Sequence, residues 1–157
     1  MYKRQTLTGG LTLTGRLRGF DATVFFQGAS GAVQYLVTES GDGGNYLREY
    51  AENRWTPENP SSTHPRAYSG SEYWRSNANT YFLRDADYVR LKSLEIGYRL
   101  PEAVASRIGV RDPRVYVSAF NLLTWDKMKL MDPEGRSSSG QYYPQSRVFN
   151  AGTSFTF

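Results

Sequence analysis

The chain has 157 residues, of which 39% are hydrophobic, 15% aromatic and 22% charged, and its 19 basic and 15 acidic residues give a formal charge of +4. This composition is typical of one folded domain and excludes a disordered chain. The absence of cysteine excludes disulfide scaffolds, thiolate metal sites and cysteine nucleophiles, and no run of roughly 18–20 apolar residues predicts a membrane-spanning helix. The basic residues are dispersed among acidic ones, which argues against nucleic acid as a partner.

The first two predicted strands form a hairpin. Apolar and polar residues alternate from Leu7 to Gly19 and again from Ala22 to Gln27, which is the period of a strand with two different faces. The Arg-Gly-Phe-Asp sequence at 18–21 is typical of a tight turn. The predicted apolar face carries Leu11, Leu13, Leu17, Val24 and Phe26, and the predicted polar face carries Thr12, Thr14, Arg16, Arg18, Thr23 and Gln27.

Three further strands are predicted in the second half of the chain. In the strand from Tyr88 to Leu100 the apolar residues change parity near Lys92, which predicts a β-bulge or a change of neighbouring strand. The segment PEAVASRIG at 101–109 has proline and glycine at the two ends of a short predicted helix. A strand at 115–123 is apolar on both parities, so the sequence leaves its facing open, and the last ten residues alternate again.

Two segments, at about 30–80 and about 124–146, have no hydrophobic period and are rich in Gly, Ser, Asn, Pro and aromatic residues. Both are predicted to be outward-facing surface loops that carry recognition. Aromatic rings stack on sugars and peptide groups, and arginine pairs with carboxylates. Alternatively, these side chains pack the loops together or form an interfacial aromatic girdle. The candidate contact residues are Trp55, Arg66, Tyr73, Trp74 and Arg75.

The sequence offers little support for catalysis. His64 is the only histidine, and no paired-histidine spacing or His-containing triad pattern surrounds it. The acidic pairs Asp85 with Asp87 and Asp132 with Glu134 are more typical of solvated or arginine-paired charges than of a general acid and base. We therefore expect a protein that is not an enzyme and that has no catalytic residues, no metal site and no cofactor.

The predicted strands are about ten residues long and are joined by alternating short and long connections, which is typical of an outer-membrane β-barrel. A sheet that spans a membrane must close on itself, and the smallest such barrels have about eight strands. The fold class predicted here is therefore all-β, an antiparallel meander of about five strands that forms the C-terminal segment of a larger transmembrane barrel. The alternative is an antiparallel sandwich, such as a secreted carbohydrate-binding module.

The last residues favour the barrel over the sandwich. The final strand ends on Phe157, and Phe149 and Phe155 share its face. An aromatic last residue of this kind matches the signal that the outer-membrane assembly machinery reads, whereas the ends of soluble domains are usually poorly ordered and polar. We therefore predict that these three phenylalanines form an assembly signal.

Two long stretches, at 85–135 and 142–157, closely resemble the C-terminal end of the SusC/RagA-like TonB-dependent outer-membrane transporters. The hairpin sequence LRGFDATVFFQG at 17–28 and the loop sequence NRWTPENP at 53–60 also resemble this family. The resemblance implies a barrel of about 22 strands with an N-terminal plug in the outer membrane of a Gram-negative bacterium. It further implies import of glycan or peptide nutrients with a SusD-like surface lipoprotein, energised through TonB.

Several features of the family are expected to lie outside this chain. The sequence shows no signal peptide, no TonB-contacting segment and no plug, so we expect a fragment of the transporter. Residues 1–5 fit the strand pattern poorly and are interpreted as a non-native leader, which leaves residues 6–157 as barrel. A structural barrel without transport stays open as a second alternative.

Overall fold

The computed structural model describes residues 6–36, 48–66, 80–135 and 143–157, so the predicted leader at 1–5 lies outside the described residues. The chain divides into two compact units. Unit 1 comprises Met1–Ala32, Asp87–Lys127 and Gln145–Phe157, and unit 2 comprises Val33–Ala86 and Met128–Pro144. In chain order the elements are β1 (Leu7–Leu17), β2 (Phe20–Ser30), β3 (Val33–Tyr35), α1 (Arg48–Asn53), a 3-10 turn (Thr80–Phe82), β4 (Leu83–Asp85), β5 (Tyr88–Arg99), α2 (Glu102–Ile108), β6 (Arg111–Asp126) and β7 (Val148–Thr156).

Unit 1 is built on one antiparallel sheet of five strands in the order β1-β2-β5-β6-β7. These are the five strands that the sequence predicts, and each neighbouring pair is antiparallel. Because directly opposed residues in such a sheet lie on the same face, the register shows which side chains stand together. One row on the apolar face contains Leu13, Val24, Leu94, Ala119 and Phe149, and the neighbouring row on the polar face contains Thr14, Thr23, Glu95, Ser118 and Asn150.

The predicted irregularity in β5 is a β-bulge at Lys92. In the pairing of β2 with β5, the consecutive residues Phe25 and Phe26 lie opposite Ser93 and Leu91, respectively. Lys92 is therefore the extra residue of β5. An extra residue shifts the alternation of the following side chains by one position. The bulge therefore keeps the apolar residues on both sides of it on the same face of the sheet, although their parity in the sequence differs.

The facing of β6, which the sequence leaves open, is fixed by its neighbours. Val117 lies opposite Ile96 on one side and Ala151 on the other, so Val115, Val117 and Ala119 of β6 lie on the apolar face. Tyr116 and Ser118 accordingly lie on the polar face. Strand β6 has an irregularity of its own, where the β5–β6 register shifts opposite Lys92. Asn121 has a φ of 54° at this point.

The predicted short helix is α2, which ends at Gly109 in the left-handed conformation with φ 71°. Glycine adopts this conformation without the steric cost that a Cβ brings. The helix connects β5 to β6, and the backbone N–H of Leu100 donates to the carbonyl of Pro113 at 2.8 Å. Among the described residues, no helix has the length and apolar character needed to cross a membrane.

Unit 2 has a small core of its own. Phe82 and Leu36 are 0% and 1% exposed, and Tyr50, Ala86 and Met128 are also buried. Strand β3 pairs with β4, and the N–H of Leu36 donates to the carbonyl of Phe82 at 2.9 Å. The sequence missed β3, β4, α1 and the 3-10 turn, because elements this short do not produce a recognisable hydrophobic period.

The two segments predicted as loops meet within unit 2. The side-chain amide of Gln34 donates to the backbone carbonyls of Pro133 and Gly135 at 2.7 and 2.5 Å. These hydrogen bonds join positions about one hundred residues apart in the chain. The described parts of the two segments therefore fold together rather than as separate loops.

Candidate functional site

The polar face of unit 1 carries an ion network across three adjacent strands. Arg114 on β6 donates from Nε to Oδ1 of Asp21 at 3.0 Å and from Nη2 to Oδ2 of the same carboxylate at 2.5 Å. The same Nη2 donates to Oε1 of Glu95 at 2.7 Å. Bidentate arginine–carboxylate pairs fix geometry as well as charge. The network therefore connects β2, β5 and β6 through their side chains.

Two glycines on the polar face make room for large side chains. A Cβ at Gly97 would overlap the guanidinium of Arg114, and a Cβ at Gly152 would lie 2.6 Å from the ring of Tyr116. The Arg114 guanidinium also lies 5.1 Å from the centroid of the Tyr116 ring. Arg114 and Tyr116 thus lie flat over the neighbouring strands. No local sequence pattern indicates this arrangement, because the contacts are between strands.

Large side chains on the apolar face of unit 1 are exposed in this structure. Leu13, Val117 and Phe149 are 52%, 56% and 71% exposed, respectively. Exposed apolar surface of this extent indicates contact with a membrane or another protein. A β-sandwich would bury such a face beneath a second sheet, whereas the described residues of unit 1 form one sheet only. The sandwich alternative is therefore not the fold of this unit.

Aromatic residues lie at both ends of the apolar face. Near the β1–β2 turn, the rings of Phe20 and Tyr98 are 4.5 Å apart. At the opposite end, Trp125 lies across from Val89 and is largely exposed. Outer-membrane barrels carry aromatic girdles at both membrane interfaces, with an apolar band of about 25 Å between them. The face has the composition expected of such a band.

Two of the three predicted assembly residues, Phe149 and Phe155, lie on this same face. Phe149 is opposite Ala119 in β6, and Phe155 has the same parity in β7. Phe155 and Phe157 are in edge-to-face contact, with ring centroids 5.3 Å apart. The role of Phe149, Phe155 and Phe157 in assembly stays a prediction.

Of the predicted contact residues, Trp55 and Arg66 lie together and Tyr73, Trp74 and Arg75 fall outside the described residues. Trp55 and Arg66 form an isolated parallel β-bridge, and the N–H of Trp55 donates to the carbonyl of Pro65 at 3.1 Å. Both side chains are exposed. Paired backbones place these two side chains next to each other on the surface of unit 2.

His64 lies in an aromatic cluster close to this bridge. Its Nδ1 is 3.2 Å from the hydroxyl of Tyr81, and its ring contacts Tyr50 edge-to-face at 5.8 Å. Arg84 donates from Nη2 to the hydroxyl of Tyr50 at 2.6 Å and also hydrogen-bonds the carbonyl of Tyr81. The sequence had no signal for this cluster, because its members are far apart in the chain and follow no period.

The acidic pairs serve local structure. Asp87 accepts a hydrogen bond from the N–H of Ala32 at 2.9 Å and lies 3.6 Å from Nζ of Lys127. Asp132 accepts from the N–H of Glu134 at 3.0 Å, as a turn-forming aspartate does. Within the described ranges there is no group of three or more His, Asp or Glu residues that could hold a metal ion.

A sheet with an exposed apolar face between aromatic ends and an ion-paired polar face is the wall of a membrane β-barrel. Known proteins agree with this class. The chain is 31% identical over 156 residues to TonB-dependent receptor P26 of Formosa agariphila and 32% identical over 157 residues to TonB-dependent receptor P3 of the same organism. These alignments cover 89% and 90% of the chain. No family model matches the chain.

Solved structures give the same result. The RagAB peptide importer in its closed-closed state matches with a TM-score of 0.73 and 30% identity over 96% of the chain. The open-open state matches with a TM-score of 0.69 and 28% identity. The chain is a portion of a SusC/RagA-like TonB-dependent receptor, and its sheet is part of the barrel.

The match covers a small share of each relative. The chain spans 16% and 15% of the two receptors and 17% of the RagAB chain. TonB-dependent receptors are outer-membrane β-barrel proteins that act as transporters, so the two-faced sheet has a definite place in such a protein. In barrels of this kind the apolar face is turned toward lipid and the polar face toward the inside.

Proposed function

We propose that this chain forms the C-terminal part of the barrel wall of a nutrient importer in the outer membrane of a Gram-negative bacterium. The complete protein takes up peptide or glycan fragments that a SusD-like surface lipoprotein helps to capture, and TonB supplies the energy. The function of these residues is to separate lipid from the transport path. No step of this function requires a catalytic residue in the chain.

The observation that carries the proposal is the similarity to the RagAB peptide importer, which extends over 96% of the chain. The physical arrangement supports it independently. A barrel wall needs backbone groups that are all paired, an apolar exterior and a polar interior. Unit 1 has a continuous five-stranded ladder with one face of each kind.

Unit 2 is proposed to lie on the outer side of the membrane and to contact the lipoprotein or the nutrient. The candidate residues remain Trp55, Arg66, Tyr73, Trp74 and Arg75. Trp55 and Arg66 have the chemistry for this role, since an indole face stacks on peptide or sugar rings and a guanidinium binds carboxylates. His64 of the aromatic cluster directly precedes Pro65, whose carbonyl accepts the N–H of Trp55. Contacts that hold this backbone in place reduce the entropy lost on binding.

Uptake by the complete receptor tests the proposal. Cells that lack the gene should fail to accumulate a fluorescently labelled peptide or glycan mixture, and the intact gene should restore uptake only when TonB is present. A Trp55→Ala, Arg66→Ala variant should assemble normally but take up less. Uptake that is unchanged by loss of the gene, with a normally assembled barrel, would instead support a structural barrel without transport.

The predicted facing of unit 2 has its own test. The chain has no cysteine, so once any cysteines elsewhere in the complete receptor are replaced by serine, single cysteines can be introduced and labelled on intact cells with an impermeant maleimide. Glu58→Cys in unit 2 should react, whereas Arg18→Cys in the β1–β2 turn should react only after the outer membrane is permeabilised. The reverse pattern would contradict the orientation.

A further inference from the structure

One patch on the polar face of unit 1 combines a flat aromatic ring with several hydrogen-bonding side chains. Glu95 in β5, Ser118 in β6 and Asn150 in β7 lie side by side in one row of the sheet. Neighbouring strands are about 5 Å apart, so this row spans roughly 10 Å. Tyr116 and Gly152 lie opposite each other two residues further along β6 and β7, on the same face. These five residues are called the Tyr116 patch below.

The Tyr116 ring is fixed against the sheet. A Cβ at Gly152 would lie 2.6 Å from this ring, so the glycine leaves the space that the ring occupies. The Arg114 guanidinium lies 5.1 Å from the ring centroid, and hydrogen bonds to Asp21 and Glu95 hold that guanidinium in place. A ring that lies flat on a sheet presents its free face away from the backbone. Because the ring is ordered in advance, a ligand that stacks on it costs little conformational entropy.

The side chains beside the ring have unused hydrogen-bonding capacity. Oε1 of Glu95 accepts from Arg114 at 2.7 Å, whereas Oε2 accepts no hydrogen bond in the part of the chain that the structure describes. The side chains of Ser118 and Asn150 likewise make no hydrogen bond there. Asn150 is exposed, and the Glu95 side chain is 41% exposed. A carboxylate, a hydroxyl and an amide together offer both donors and acceptors to a ligand.

This combination matches the chemistry of a sugar. A pyranose ring has a flat face of C–H groups, which packs on an aromatic ring, and a rim of hydroxyls that both donate and accept hydrogen bonds. A peptide would instead need pockets for its side chains or an unpaired charge for its termini. Arg114, the cation directly beside the patch, is already bound by the two carboxylates of Asp21 and Glu95.

We propose that the Tyr116 patch is a sugar-binding subsite. One sugar ring of a passing oligosaccharide stacks on Tyr116, and its hydroxyls hydrogen-bond to Glu95, Ser118 and Asn150. The inference rests on the proposed function, because that function places the polar face beside the transport path, and it narrows the nutrient from peptide or glycan to glycan. Each hydrogen bond made in competition with water contributes little, so the sugar is held briefly and can move on along the wall.

Uptake by cells that carry the complete receptor tests the subsite. The gene-deletion strain receives the receptor or a variant and is offered fluorescently labelled oligosaccharides released from plant, algal and yeast polysaccharides, or a labelled mixture of short peptides. We expect gene-dependent uptake of at least one oligosaccharide. Tyr116→Leu, which removes the flat ring but keeps an apolar side chain, should slow this uptake about tenfold. Tyr116→Phe keeps the ring and should retain most of the uptake.

A second variant serves if Tyr116→Leu fails to assemble. Asn150→Ala removes an exposed side chain and should slow glycan uptake about fivefold, as expected for one lost hydrogen bond. The matched control is Thr12→Ala in β1, which removes a hydrogen-bonding group from the same face three strands away from β6 and should leave uptake unchanged. The amount of folded receptor is measured on unheated gels for every variant, and peptide uptake should not differ among them.

Four results would overturn the subsite. Equal glycan uptake by the Tyr116→Leu and Tyr116→Phe variants would show that no sugar stacks on the ring. Equal losses with Asn150→Ala and Thr12→Ala would assign the effect to the wall as a whole. Equal losses of glycan and peptide uptake would assign the patch to contact with another part of the receptor, and gene-dependent uptake of peptides only would exclude a sugar. The importer itself would stand in all four cases, whereas uptake that does not depend on the gene would contradict the proposed function.

Discussion

The two units place their large apolar side chains in opposite ways. Unit 2 buries Phe82 and Leu36 completely, as a small water-soluble core does. Unit 1 exposes most of its large apolar side chains on one face and is held together by its backbone ladder and by contacts across the polar face. The comparison shows that hydrophobic composition by itself does not say what the hydrophobic side chains contact. The same kinds of residue form a core in one unit and an exposed face in the other.

The largest expected effect tests the core of unit 2. Phe82→Ala removes a fully buried ring and should lower the free energy of local opening by about 3–5 kcal/mol. Hydrogen exchange at the Leu36 amide, which donates to the carbonyl of residue 82, measures this change in the complete receptor. Leu83→Ala, at the neighbouring exposed position, is the control and should have little effect. Equal effects of the two substitutions would mean that unit 2 has no core of its own.

The next effect tests whether the apolar face of unit 1 contacts lipid. Leu13→Arg places a charge on the apolar row near the middle of the strand and should cost roughly 2–4 kcal/mol. Thr14→Arg, one residue along and on the polar face, should be tolerated. Urea-dependent unfolding of the complete receptor in lipid vesicles measures both. Equal tolerance would reverse or remove the assignment of the two faces.

A smaller effect is expected where Tyr116 lies over Gly152. Gly152→Ala puts a methyl group against this ring and should destabilise the β6–β7 pairing by about 1–3 kcal/mol. The second substitution Tyr116→Ser makes room for the methyl group, so the double variant should be less destabilised than the sum of the two single variants. Strict additivity in the same unfolding experiment would show that the two residues do not interact.

The smallest effect is expected in the ion network. Asp21→Asn should destabilise unit 1 more than Glu95→Gln, because the Asp21 carboxylate is bidentate and 16% exposed whereas Glu95 is 41% exposed and better solvated. Double-variant cycles with Arg114→Gln isolate each pair. A larger coupling for Glu95 than for Asp21 would contradict the geometry.

The sequence predicted the strands well and the candidate site only in part. Alternation identified four of the five strands of unit 1 and both faces of the first hairpin, because the backbone itself imposes the period of two residues. The remaining strand, β6, was identified as an apolar run without alternation. The bond between Arg114 and Asp21 joins residues that are 93 positions apart, and no local pattern indicates such a partner. The pairing of Trp55 with Arg66 was missed for the same reason. Both residues were candidates for contact with a ligand or the lipoprotein, but no local pattern indicated that they lie together.

The amino-acid sequence by itself determined that this protein is all-β, which residues of the first hairpin share a face, and that the chain resembles the SusC/RagA-like receptors. These properties follow from local alternation and from ordered sequence motifs, which need no knowledge of distant contacts. Only the tertiary structure decided the facing of β6, the position of the bulge, the core of unit 2 and the Tyr116 patch. Each of these depends on which strands and segments become neighbours, and that choice is made by packing and hydrogen bonding between residues far apart in the chain.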